Sequence, residues 1–229
     1  NPFSQWIGPV YINLGLWSIP ITMIWIIGVT NAVNLIDGLD GLAVGDSSIA
    51  SVALLSLTLI SQNLNAAIVT AALAGAGFGF LPYNFNPAKT FMGECGSTFL
   101  GYMIAVISLL GFKGATFTSL VIPVVILAVP IFDTLFAILR RVIHHRSIDE
   151  PDMNHLHHQL LKMKFSPRVT ILIIYGIDIL FSAVSVFYVL GDNQVSMIVY
   201  LIMMTLLLYI VVNTDILYDK KDKTKKLKK

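Results

Sequence analysis

The sequence contains little charge and almost no cysteine. Of its 229 residues, 12% are charged and 56% are hydrophobic, whereas soluble domains carry about 25% charged residues. A single cysteine, Cys95, excludes an intrachain disulfide framework. The sequence also lacks internal repeats, low-complexity tracts and any segment typical of a soluble domain. We therefore expect residues 1–229 to form one integral membrane domain, without a nucleic-acid partner.

Long apolar runs recur along the whole chain. A membrane-spanning helix needs about 20 apolar residues. Runs of this order predict an all-α, polytopic transmembrane bundle of about seven spanning helices. The predicted spans are residues 14–36, 47–64, 66–83, 98–112, 115–138, 169–190 and 195–215.

The positive charges fall on one side of this predicted topology. If the spans alternate in direction, the connections 37–46, 84–97 and 139–168 and the tail after Asp215 share a side, with fourteen of the fifteen Lys and Arg residues. Cytoplasmic connections are enriched in Lys and Arg. We therefore expect these connections and the C-terminal tail to be cytoplasmic, and their polar residues to form a site beside the lipid.

The first connection carries a run of amides and acids. Asn31, Asn34 and Asp37 are three residues apart, so they lie near one stripe of a helix. Gly38 then permits a backbone turn that other residues resist. Carboxylates here, including Asp40, can hold a divalent cation, take a proton or accept hydrogen bonds from a uracil or sugar. The alternative is an Asx-rich helix end followed by a turn.

The second connection contains Asn84 and Lys89 and ends in an acid flanked by glycines. Glu94 lies between Gly93 and Gly96, directly before an apolar run. An acid at this boundary is a candidate metal ligand. Ser97 is the predicted N-cap of the following helix.

The third connection combines imidazoles with cations. His155, His157 and His158 follow Arg140 and Arg141, a set that suits an anionic group such as a pyrophosphate. A zinc ion is the alternative to an anionic group, because histidine is a common zinc ligand. No cysteine joins the cluster, and adjacent histidines fit a tetrahedral site poorly.

Two acids lie inside predicted spans. Asp133 precedes Arg140 by about two helical turns, so it either lines the bottom of the polar site or pairs with a neighbour. Asp178 lies in the middle of a span, where an uncompensated charge is costly. A buried partner or a protonated state is expected for Asp178.

Four strings together resemble one enzyme family. Residues 31–43 resemble NAxNLIDGLDGLA, 91–101 resemble FMGDxGSxxLG, 130–141 resemble PIFDTxxAIxRR and 152–161 resemble DxxHLHHxLL. In this order they are similar to the polyprenyl-phosphate N-acetylhexosamine-1-phosphate transferases. The likeness is greatest to the bacterial undecaprenyl-phosphate N-acetylglucosaminyl 1-phosphate transferases that begin teichoic acid or O-antigen synthesis.

The resemblance implies transfer of a sugar 1-phosphate, expected to be that of N-acetylglucosamine, from a UDP-sugar to undecaprenyl phosphate, with release of UMP. It implies magnesium as the cofactor, with manganese as the alternative. It makes Asp37 and His155 catalytic and Glu94 the metal ligand. The substrate-binding residues it implies are Asn31, Asn34, Gly38, Leu39, Asp40, Asn84, Lys89, Arg140, Arg141, His157 and His158.

The sequence departs from the family pattern at two places. Glu94 stands where the family has Asp, and the family's adjacent aspartate pair is absent. We therefore expect the C-terminal two-thirds of a transferase, inactive on its own. The alternative functions are those of a non-catalytic relative that binds lipid phosphate and of a membrane transporter. The oligomeric state considered is a homodimer.

Overall fold

The computed structural model describes residues 15–110, 117–143, 155–191 and isolated helical positions between 195 and 205. Throughout these residues the regular structure is helical, as predicted. After a 3-10 turn at Gly15–Trp17, the helices are α1 (Ser18–Leu35), α2 (Leu42–Ile60), α3 (Leu64–Asn84), α4 (Gly93–Leu110), α5 (Phe117–Ile126), α6 (Ala128–Ile143), α7 (Leu156–Lys162) and α8 (Pro167–Leu190).

Five helical segments among the described residues are long and apolar enough to cross a membrane. They are α1 with its preceding turn, α2, α3, α4 and α8. They correspond to the first four predicted spans and the sixth. The seventh predicted span, 195–215, and the C-terminal tail lie largely outside the described residues. The polytopic helical bundle is therefore confirmed, with five of its spans seen as single long helices.

The fifth predicted span, 115–138, is not one helix. It is divided into α5 and α6 at Leu127. Pro130 has no N–H group to donate to the carbonyl of Ile126, so the regular hydrogen bonding is interrupted at this point. Leu127 still donates to the carbonyl of Pro123, and Ile131 to that of Leu127, both at 3.0 Å. These two bonds continue the helical path across the break.

Helix α2 is the centre of the bundle. It packs against α3, α4 and α8, while α1 packs against α4 and α6. In the apolar 18-residue stretch of α2, 67% of the residues are buried, against 17% in that of α1 with its preceding turn. Leu54, Leu57 and Ile104 form part of the main apolar core between α2 and α4. The exposed face of α1 follows from its position at the edge of the bundle.

The connections between the helices lie at the two ends of the bundle. Asn63, between α2 and α3, donates from its amide to the carbonyl of Leu110 at the end of α4, at 2.7 Å. The 36–41 and 85–92 connections lie at the opposite end, where they contact each other and where 36–41 also contacts α7. The polar residues that the sequence assigns to one side therefore share one end of the bundle.

Candidate active site

A tight turn between α1 and α2 forms one wall of the site. Gly38 donates to the carbonyl of Ile36 at 2.7 Å, and Leu42 donates to that of Leu39 at 3.0 Å. Gly41 has a φ of 86°, which favours glycine. A Cβ at this position would lie 3.1 Å from the Cα of Phe85. Gly41 therefore allows both the turn and the close approach of the next connection.

Asn84 fastens the second connection to this turn. Its side-chain oxygen accepts a hydrogen bond from the Gly41 N–H at 3.1 Å, and its amide nitrogen donates to the carbonyl of Thr90 at 2.9 Å. Asn84 is buried. A buried backbone group that loses its partner is costly, so this amide fixes the two connections relative to each other.

Asp40 adds a second link between the two connections. One of its carboxylate oxygens accepts from the Ala88 N–H at 3.1 Å and from the side-chain amide of Asn86 at 3.3 Å. Arg168, at the start of α8, donates to the carbonyl of Asn86 at 2.9 Å. The second connection is thereby held from two directions.

Three imidazoles at the start of α7 complete the site beside the turn. The ring centroids of His157 and His158 are 4.2 Å apart, and those of His155 and His157 are 5.8 Å apart and nearly parallel. A Cβ added to Gly38 would lie 2.6 Å from Nε2 of His157. The first and third connections therefore meet directly, as the sequence predicts.

His157 enters the site as a neutral ring. Burial, followed by the neighbouring charge of His158, lowers the pKa of His157 to about 4, although the carboxylate of Asp133 opposes this effect. Its Nε2 is buried and has no hydrogen-bond partner among the described residues. His157 can therefore offer a hydrogen bond to a ligand, but it does not contribute positive charge near neutral pH.

Asp133 pairs with His155, so the pairing with a neighbour that the sequence offered as one of two roles is observed. Its Oδ2 lies 2.9 Å from Nδ1 of His155, and its Oδ1 accepts from the Leu156 N–H at 2.8 Å.

In the described part of the chain, no group of three or more His, Cys, Asp or Glu residues is arranged to hold a metal ion. The histidine cluster therefore does not form a ready-made zinc site.

An apolar layer lies beneath the polar residues. Leu39 of the turn, Phe85 of the second connection and Leu156 of α7 all pack against a buried cluster that includes Ile171 and Ile174 of α8. These contacts bring segments distant in sequence to one place. Burial of their side chains stabilises the convergence, with about 25 cal/mol for each Å² of apolar surface removed from water.

Asp37 lies between buried and exposed surroundings at the edge of the site. Partial burial, and then the charge of Asp40, raises the pKa of Asp37 above its usual value. Asp37 therefore holds a proton more readily than an exposed aspartate does. It is the acid of the turn best suited to exchange a proton with a ligand.

Asn34 contacts the start of α4 instead of the turn. Its amide donates to Oγ of Ser97 at 2.7 Å. The prediction that Ser97 is an N-cap is wrong, because α4 begins at Gly93 and Ser97 lies inside its first turns. Its hydroxyl is directed to the carbonyls of Gly93 and Glu94, at 3.3 and 3.2 Å. Asn34 is thereby placed beside the turn of helix that carries Glu94.

Three predicted site residues lie at the exposed margin. Asn31, Lys89 and Glu94 are exposed. The amide of Asn31 donates to the carbonyl of Ile27 within α1, at 2.8 Å. Glu94 occupies the first turn of α4. These side chains are not joined to the rest of the site by the contacts described above.

The two predicted arginines end helix α6. Arg140 is buried and lies seven residues after Asp133, hence on the same helical face. Arg141 is partly buried, and its Nε has no hydrogen-bond partner among the described residues. Both guanidinium groups thus belong to the end of the bundle that holds the imidazoles.

Three contributing residues were not predicted. Asn86 and Arg168 link the second connection to its neighbours, and Tyr175 donates from its hydroxyl to the carbonyl of Gly41. The spacing of Arg168 and Tyr175, seven residues apart on one face of a helix, is a signal for their shared position. Nothing in the sequence near Asn86 distinguishes it from an ordinary turn residue.

Asp178 is buried in α8, and its neighbour is the buried Asp46 of α2. A buried neighbour agrees with the expectation from its position in a span. Neither carboxyl oxygen of Asp178 has a hydrogen-bond partner among the described residues. The two acids lie between α2 and α8, which pack against each other.

Comparison with known proteins identifies relatives of this chain. The sequence model of glycosyl transferase family 4 matches residues 1–112. The chain is 48% identical over 176 residues to a probable undecaprenyl-phosphate N-acetylglucosaminyl 1-phosphate transferase of Bacillus subtilis, covering 74% of this chain and 48% of that protein. It is 37% identical over 204 residues to a decaprenyl-phosphate N-acetylglucosaminephosphotransferase of Mycobacterium tuberculosis, covering 79% and 50%.

A more distant group also matches. The chain is 42% identical over 125 residues to a phospho-N-acetylmuramoyl-pentapeptide-transferase of Clostridioides difficile, covering 54% of this chain and 36% of that protein. The chain spans about half the length of the first two relatives. With its apolar helices, the chain is a multi-pass membrane protein. The matches show that it belongs to glycosyl transferase family 4, the polyprenyl-phosphate N-acetylhexosamine-1-phosphate transferase family that its motifs resemble.

Proposed function

We propose that the full-length gene product transfers N-acetylglucosamine 1-phosphate from UDP-N-acetylglucosamine to undecaprenyl phosphate. A phosphate oxygen of the lipid attacks the sugar-bearing phosphorus of the UDP-sugar. The bond from this phosphorus to the bridging oxygen breaks, and UMP leaves with that oxygen. The product is a lipid diphosphate sugar, which begins the synthesis of teichoic acid or another cell-envelope polysaccharide.

The single observation that carries this proposal is the convergence at one end of the bundle. Gly38 of the turn lies against His157, and Asn84 and Asp40 tie the second connection to the same turn. A polar site at the end of apolar helices suits a reaction between a water-soluble nucleotide and a lipid. The names of the matched relatives indicate the same pair of substrates.

Each part of the site has a proposed role. The half-buried Asp37, whose pKa is raised, exchanges a proton near the lipid phosphate, and His155 is the second catalytic group. Gly38, Leu39 and Asp40 bind the uridine of the substrate. Hydrogen bonds and charge hold the diphosphate and sugar. The residues proposed for this are Asn31, Asn34, Asn84, Lys89, Arg140, Arg141, His157 and His158.

Magnesium fits the chemistry of the available donors. Magnesium prefers oxygen ligands, and it is often held by one or two carboxylates together with substrate phosphates. Glu94 is an exposed carboxylate, and no three-ligand cluster occurs in the described ranges. Glu94 would hold the ion, with manganese as the alternative. A bound ion would neutralise charge on the transferring phosphate.

The proposed site faces the cytosol. Fourteen of the fifteen Lys and Arg residues belong to connections on its side of the predicted topology or to the tail. UDP-sugars are cytosolic, so this orientation gives them access. The proposed location is the bacterial cell membrane.

The proposal is tested with the full-length gene product in membranes. Labelled UDP-N-acetylglucosamine, undecaprenyl phosphate and magnesium should give a labelled lipid and UMP in equal amounts. Asp37→Ala and His155→Ala should abolish the product without loss of membrane insertion. Full activity in both variants would refute the assigned site. Absence of any product from every UDP-hexosamine, with substrate binding retained, would instead favour a non-catalytic relative.

A further inference from the structure

A buried carboxylate joins α6 to the start of α7. Asp133 is 7% exposed and His155 is 6% exposed, so the contact between them is screened from water. The two residues are 22 positions apart in sequence. None of the roles proposed above uses Asp133.

Each oxygen of Asp133 has its own donor. Oδ2 lies 2.9 Å from Nδ1 of His155, and Oδ1 accepts from the Leu156 N–H at 2.8 Å. An ionised carboxylate is only an acceptor, so Nδ1 of His155 must carry the proton. In the neutral ring, Nε2 then keeps its lone pair.

The two bonds also set the direction of the ring. Leu156 is the first residue of α7, and His155 precedes it without a side-chain cap of its own. The same carboxylate thus holds the first N–H of α7 and the ring of the adjacent residue. The His155 ring lies within 4° of parallel to that of His157.

We propose that Asp133 is a positioning residue, which fixes the tautomer and orientation of His155 so that Nε2 faces the reaction as the unprotonated nitrogen. Its consequence for turnover rests on the proposed function. The alternative is a purely structural clamp, in which the bond to the Leu156 N–H holds α7 and the tautomer of His155 is irrelevant.

Asp133→Asn separates the two roles. The asparagine oxygen can still accept from the Leu156 N–H, which preserves the clamp. Its amide group replaces Oδ2 with a donor, so Nδ1 of His155 must become an acceptor and its proton moves to Nε2. Asp133→Glu keeps an acceptor-only carboxylate and serves as the conservative variant.

Turnover gives the first readout. Asp133→Asn should lower kcat about 100-fold while KM for the UDP-sugar changes by less than about twofold. Asp133→Glu should retain more of kcat than Asp133→Asn does. The matched control is Thr134→Val, a near-isosteric change at the next buried residue, whose hydroxyl has no partner among the described residues. Wild-type kcat in Asp133→Asn would overturn the proposal.

Nitrogen NMR of the imidazoles gives a readout that needs no activity. In the wild-type protein with ¹⁵N-labelled histidine, the His155 signals should show a protonated Nδ1, and Asp133→Asn should reverse the pattern. His155→Gln assigns the signals by their loss. A protonated Nε2 with a bare Nδ1 in the wild type would overturn the proposal even if Asp133→Asn failed to fold. Lack of wild-type turnover, with the predicted tautomer present, would refute the proposed function alone.

Discussion

The site contains two regions that are held in different ways. The braced region consists of the turn 36–41, residues 84–90 apart from Lys89, and His155–His158, and its members contact each other through buried hydrogen bonds and close packing. The open region consists of Asn31, Lys89 and Glu94, whose side chains are exposed. The chain itself sets the geometry of the braced region. The open region supplies groups whose proposed partners arrive with the substrate.

This difference has a consequence for mutation. Changes in the braced region should alter stability and activity together, because the same contacts hold the fold and shape the site. Changes in the open region should alter activity alone, since exposed substitutions usually change stability by less than about 0.5 kcal/mol.

The largest effect is expected from Gly38→Ala. The added Cβ would lie 2.6 Å from Nε2 of His157, so the His157 ring or the backbone of the turn must shift. A displacement of about 1 Å in an active site can cost about 100-fold in rate. The transferase assay measures the loss. Gly75→Ala is the control, because a Cβ at Gly75 meets nothing within 4 Å. Equal activities in the two variants would show that the close contact is not needed.

Asn84→Asp is expected to destabilise the protein by about 2 kcal/mol, since a buried acceptor then faces the carbonyl of Thr90 in place of a donor. The bond to the Gly41 N–H can remain. Thermal unfolding in detergent measures the change. Asn31→Asp makes the same chemical change in the open region and should have little effect on stability. A similar loss in both variants would remove the distinction between the regions.

Glu94→Gln should raise the magnesium concentration that gives half-maximal activity by about tenfold, because one anionic oxygen ligand is lost. Its unfolding temperature should remain that of the wild type. Glu94→Asp, which restores the family residue, should retain or raise activity. Destabilisation by Glu94→Gln, with an unchanged magnesium requirement, would move Glu94 from the open region to the braced one.

The braced and open regions also differ in how far the sequence predicts them. Long apolar runs predict α1 to α4 and α8, because burial in lipid demands length and hydrophobicity alone. The same runs place the polar connections at one end. The apolar run of the fifth predicted span does not reveal the break at Leu127, because the cause of the break is the missing N–H group of Pro130.

Individual contacts at this end of the bundle were harder to predict. Asp133 and His155 meet because the start of α7 lies against the Asp133 side chain of α6, and the sequence alone left the partner of Asp133 undecided. Ser97 resembles an N-cap because it precedes an apolar run, yet Gly93, with a φ of 69°, starts the helix earlier. Roles that depend on tertiary packing therefore need the fold, whereas the residue types suffice to indicate the chemistry.

The final effect concerns the pH dependence of stability, and it depends on His157. Burial lowers the pKa of His157 from 6.5 to about 4, so between these values the unfolded chain binds a proton that the folded chain does not. The contribution of His157 to stability is therefore greatest above pH 6.5 and falls as the pH drops towards 4. His157→Gln removes the titrating group, so its unfolding temperature should fall less over this range. An identical pH dependence in both proteins would mean that His157 is not held neutral, and the braced region would then contain a cation.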